Sequence, residues 1–81
     1  MQDQHLAKNI GGLVRRLRIN KGLSQEKFAT MCNLHRTYIG SIERGEKSIT
    51  IETAHKLTQA LGLTLAEFFN LLEQGWVNQN D

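Results

Sequence analysis

The stretch from Ser24 to Arg44, SQEKFATMCNLHRTYIGSIER, constrains the fold more than any other part of the chain. It reads as two short helices joined by a tight turn. Ser24 suits the N-cap of the first, whose inward residues are Phe28 and Ala29, and Asn33 is one of the few non-glycine residues that tolerate a left-handed turn. Ala29 is small where two helices must cross closely. In the second helix, at roughly 100° per residue, Ile39 and Ile42 fall on one side with Tyr38 near them, while Arg36, Thr37, Gly40, Ser41 and Arg44 gather on the other. One side can bury, and the other is left to touch something.

The outward side suits a DNA groove. Arginine offers a rigid fork of donors that matches the two acceptors on a guanine edge, and Thr and Ser offer a hydroxyl plus, for Thr, a methyl that meets thymine. Gly40 has no side chain, so the helix can approach a base edge or phosphate closely, although a helical Gly costs roughly 1 kcal/mol relative to Ala. On an isolated helix the same side would read as solvated surface. The charge distribution favours the DNA reading: residues 1–47 hold nine Lys or Arg against four acids, and residues 48–81 hold one Lys against four. The halves carry +5 and −3, which sum to +2, as suits one face toward phosphate and another away from it.

Eighty-one residues make one small domain, 1–81, with a core over about 6–74 and a short tail over 75–81. Such a chain buries only about 60–65% of its unfolded surface, which leaves little room for a deep catalytic cavity. No apolar run approaches the 18 or so residues of a membrane span, and the start MQDQHLAKN has no signal-peptide pattern, so a soluble, cytoplasmic protein is expected. Cys32 is the only cysteine, which excludes an internal disulfide and reads as a small buried apolar residue. His5, His35 and His55 are scattered, without Cys or carboxylate at metal spacing, and no phosphate loop or nucleophile with a base appears. Neither an enzyme, nor a metal or cofactor, nor a small-molecule effector is expected.

The rest of the chain supplies a helical frame. Leu6, Ile10, Leu13, Val14 and Leu17 predict a helix from about Gln4 to Lys21, interrupted locally by Gly11 and Gly12. Arg15, Arg16, Arg18 and Lys21 crowd its end, where the helix dipole favours positive charge, before Gly22 in a left-handed position. Thr50 caps a fourth helix with Ile51, Ala54, Leu57 and Leu61 as its buried stripe and Gly62 as its end. Thr64 and Glu67 form a capping box for a fifth, with Leu63 able to staple to Phe68. The fold class is all-α.

The fifth helix is more apolar than a small monomer requires. Leu65, Phe68, Phe69, Leu71 and Leu72 cover much of its circumference, with Trp76 and Val77 just past a cap at Gly75. One reading tucks Phe68, Phe69 and Trp76 into a single core. The other makes Leu65, Phe68, Phe69, Leu72 and Trp76 the interface of a two-fold homodimer, which would set two recognition helices about 34 Å apart on successive turns of the major groove.

Gly22-Leu23-Ser24-Gln25, Ala29, Ile39, and Ile42-Glu43-Arg44-Gly45 together resemble the helix-turn-helix of the phage repressor and Cro-like family. Within it, Arg36-Thr37-Tyr38-Ile39 and Ile42-Glu43-Arg44 most resemble the controller proteins of restriction-modification systems. The resemblance implies a compact five-helix, lambda-repressor-like DNA-binding domain with helix-turn-helix at helices 2 and 3. It implies that Arg36, Thr37 and Ser41 read base edges, that Gln25 and Tyr38 grip phosphate, and that Arg44 and Lys47 lie near the backbone beyond the helix. It also implies a buried ion pair between Arg18 and Glu43. Two residues depart from the pattern: Asn33 replaces a commoner Gly, and His35 stands where Ser, Thr or Asp usually caps the recognition helix, so that it either caps poorly or faces a phosphate. The implied function is a transcription regulator that binds a pseudo-palindromic operator in double-stranded DNA as a homodimer, with RNA polymerase as a further partner. A phage or plasmid repressor, or an antitoxin acting partly through protein contact, are the alternatives.

Overall fold

The structure is a computed structural model that describes residues 4–75. Helices α1 (Gln4–Asn20), α2 (Gln25–Cys32), α3 (Arg36–Glu43), α4 (Ile51–Leu61) and α5 (Leu65–Glu73) follow one another, with no strand among the described residues. Local chemistry sets the helix starts. The Ser24 hydroxyl accepts from the Lys27 N–H, Thr50 from Thr53, and Thr64 and Glu67 bond each other's backbone N–H in a complete capping box. Each satisfies amides that the first helical turn leaves without partners. Asn33 takes up the left-handed backbone, φ 58° and ψ 42°, and so permits the sharp turn from α2 into α3.

Leu13, Val14, Phe28, Ile39, Ile42, Leu57 and Phe68 meet in the core, so every helix contributes to one apolar cluster. The glycines at 11 and 12 do not interrupt α1. A Cβ on Gly11 would overlap the Ile42 carbonyl oxygen and press on the Glu43 backbone, so the missing side chain lets α1 and α3 cross almost backbone to backbone.

Three apolar expectations are corrected. Ile51, predicted for the buried stripe of α4, is 66% exposed, because it stands at the first residue of the helix, one turn before the buried Ala54, Leu57 and Leu61; Thr58 joins the buried set instead. Leu6, in the first turn of α1, is half exposed. Phe68, predicted for the dimer interface, is only 1% exposed and belongs to the core of its own protomer. Phe69 packs edge-on against it, with ring centroids 5.4 Å apart, and Leu65, Phe69 and Leu72 remain partly exposed. Trp76 lies outside the described residues.

Cys32 is buried, and burial pushes its thiol from the ordinary 9.0 up to about 11. Between those values the native state keeps a proton that the unfolded chain has released. Stability from this group is therefore complete below pH 9 and lost as the pH rises through the folded value. The loss should reach roughly 3 kcal/mol at about 1.4 kcal/mol per pKa unit. Urea melts of the wild type and of Cys32→Ala between about pH 8 and about pH 11 should show the steeper decline in the wild type. Parallel declines would exclude the thiol as the cause.

Candidate nucleic-acid interface

The outward surface of α3 begins at its cap. The Nδ1 of His35 accepts from the Thr37 N–H at 3.3 Å, and that bond requires an unprotonated Nδ1, so in the neutral ring the hydrogen sits on Nε2. His35 is thus a working cap, with an N–H left on its solvent edge. Arg36 and Thr37 follow in the first turn and are both exposed. Tyr38 is partly buried against the core, and Ile39 and Ile42 are fully enclosed. One flank of α3 is clamped, and the flank carrying Arg36 and Thr37 faces solvent.

Two residues expected on that flank lie elsewhere. Ser41, predicted to read a base, is 7% exposed, and its hydroxyl donates to the Tyr38 carbonyl at 2.8 Å. Directly after α3 the backbone reverses. Gly45 at φ 75° donates its N–H to the Ile42 carbonyl at 2.9 Å, Glu46 donates to that of Ser41 at 3.0 Å, and the returning chain lies along this turn. A side chain at Gly45 would also collide with Lys8 of α1, so the reversal is packed tightly against the fold. Gly40 is buried rather than open to a groove. The place of its missing Cβ lies 3.1 Å from Arg44 Nη1 and 3.8 Å from Gln25 Oε1, so the gap accommodates those two side chains.

Beneath this surface lies a polar network. Arg18 Nε and Nη2 donate to the two carboxylate oxygens of Glu43 at 2.7 and 3.0 Å, and Arg18 Nη1 donates to the Leu23 carbonyl at 2.6 Å. Both residues are buried, and the pairing is two-pronged, a geometry that only a planar guanidinium provides. Gln25 Nε2 donates to Glu43 Oε1 at 3.0 Å. Glu43 therefore both ties α3 to α1 and orients the amide at the start of α2. This second role was missed in the sequence, where residues 18 positions apart carry no periodic signal of contact.

Arg44 and Lys47 are exposed beyond the end of α3. Arg44 pairs with Glu46, whose hydrogen bond is the main cause that raises the Arg44 pKa, and Arg44 in turn holds the Glu46 carboxyl below the usual carboxylate range. Among the described residues no group of His, Cys, Asp and Glu is arranged to hold a metal, and no helix is long and apolar enough to cross a membrane.

A short second helix packed on a third, with an exposed basic and hydroxyl-bearing first turn, defines a helix-turn-helix protein. The sequence model of that family matches residues 14–68, and the chain belongs to this family of DNA-binding transcription regulators. Control protein C.BamHI of Bacillus amyloliquefaciens is 46% identical over 54 residues, which cover 65% of this chain and 67% of that protein. Control protein C.MunI of a Mycoplasma species is 40% identical over 65 residues, covering 79% and 88%. Among solved structures, the restriction-modification controller protein C.Esp1396I, a tetramer in complex with its natural 35 base-pair operator, is similar with a TM-score of 0.81 at 31% identity, covering 86% of this chain and 92% of that one.

Proposed function

We propose that this chain is the controller of a restriction-modification system: a homodimer, formed as a single domain over residues 1–81, that binds a pseudo-palindromic operator and regulates transcription from it. The observation that carries the reading is the exposed Arg36-Thr37 pair on the capped first turn of a helix whose opposite flank is locked in the core. Arg36 and Thr37 read base edges. Gln25, His35, Tyr38, Arg44 and Lys47 hold the phosphates around them, the His35 contribution being the N–H on Nε2 that its capping bond leaves outward. Similarity to several control proteins favours this function over a phage or plasmid repressor, and over an antitoxin.

The dimer forms through the partly exposed residues of α5, Leu65, Phe69 and Leu72. Its two recognition helices then reach successive major-groove turns about 34 Å apart. RNA polymerase is the further partner, and whether the dimer helps or blocks it depends on where the operator lies relative to the promoter. The protein works in the cytoplasm.

Selection of bound duplexes from random sequence should return a two-fold half-site. On that duplex Arg36→Ala should cost about 1–3 kcal/mol and relax preference at one base position, whereas Lys47→Ala should weaken selected and scrambled DNA alike. Equal weakening of both duplexes by Arg36→Ala would remove its reading role.

A further inference from the structure

Arg44 turns its guanidinium back along α3, so that Nη1 lies over Gly40. Its Nε and Nη2 edge meets the Glu46 carboxylate at 2.9 and 3.2 Å. Glu46 is anchored from the backbone side by the bond from its N–H to the Ser41 carbonyl, at 3.0 Å. Both side chains are more than half exposed, at 59% and 55%. The carboxylate stands where neither folding nor DNA binding favours it. A helix C-terminus disfavours negative charge, a solvated pair of mobile side chains adds little to stability, and on a surface that meets phosphate an acid repels the ligand. What Glu46 does accomplish is to occupy the edge of Arg44 that a phosphate would use, because carboxylate and phosphate bind a guanidinium through the same pair of donors.

We infer that Glu46 is a specificity-determining residue, which holds Arg44 away from the phosphates of random DNA and releases it when α3 is seated in its operator. The inference rests on the reading of Arg44 as a phosphate contact. Binding to random DNA draws essentially all its strength from phosphates, so an arginine engaged by its own neighbour is withheld from that binding. In a seated complex a backbone phosphate is held in one place beside the end of α3. There it exchanges with the carboxylate, at small cost because the pair is solvated.

The test is a set of four proteins: wild type, Glu46→Gln, Arg44→Ala and the double variant. Each is titrated over a range of salt with the duplex recovered by selection from random sequence and with a scrambled duplex of the same length. Glu46→Gln is expected to bind the scrambled duplex about threefold to fivefold more tightly, with a salt slope steeper by about one phosphate contact. Its gain on the selected duplex should be smaller, so that the ratio of the two affinities falls. In the Arg44→Ala background the same substitution should do nothing. Equal gains on both duplexes, a gain that persists without Arg44, or a loss of binding would each overturn the inference. Failure of the underlying contact is seen separately: Arg44→Ala would then match wild type on both duplexes and in both slopes. Melting curves check that all four proteins are folded.

Discussion

Glu43→Ala is expected to destabilise the fold by about 3–5 kcal/mol, because it leaves the Arg18 guanidinium buried without its counter-charge. In a chain of this size that corresponds to a fall of roughly 15–30 °C in melting temperature. The cost is that of stranding a charge, and it differs from the net worth of the pair. Replacing both partners at once, as in Arg18→Met with Glu43→Leu, should therefore recover much of the loss. The double variant also separates structure from binding. It removes the acceptor that orients Gln25 Nε2, at 3.0 Å in the wild type, so it should fold and still bind DNA more weakly. A melting curve for Glu43→Ala that overlays the wild type would show that the pair does not matter to stability.

Phe68→Ala should cost a similar amount, about 3–5 kcal/mol, through lost burial and the cavity left in the apolar core. Its origin distinguishes core from interface. A core loss lowers the stability of the protomer and persists at every protein concentration. Phe69→Ala, on the partly exposed side of α5, should act chiefly on the dimer, moving its dissociation to higher concentration in sedimentation measurements. If Phe68→Ala changed the association constant alone and left protomer stability intact, its assignment to the core would be wrong.

Much of this protein is legible residue by residue. Thr64 with Glu67, Thr50 and Ser24 announce helix starts because a cap is made within three or four residues of chain, and the folded protein makes each of these bonds. Asn33 is readable for a similar reason, since its left-handed backbone is a local preference. The alternation of Ile39 and Ile42 with Arg36 and Thr37 separates a buried flank of α3 from an open one. Periodicity fails at the margins of such a face. It reports an angle around the helix and says nothing of what covers that angle, so Ser41 is buried with its hydroxyl on the Tyr38 carbonyl while Ile51 stands in water.

The glycines show the same limit from the other direction. Gly11 reads as a weak point in a helix until α3 is seen resting on it, and Gly40 reads as an opening until Arg44 and Gln25 are seen in it. The Arg18–Glu43 pair was implied by family resemblance, while the bond from Gln25 to the same carboxylate was not.

The sequence alone determined the helical class, the sites of the caps and turns, and which flank of α3 holds the arginine and threonine, since these follow from bonds and periodicities spanning a few residues. Only the tertiary structure decided that Phe68 is core and that Glu43 serves Arg18 and Gln25 together. Those outcomes depend on the approach of separate segments, and the distance between two segments is set by every side chain packed between them.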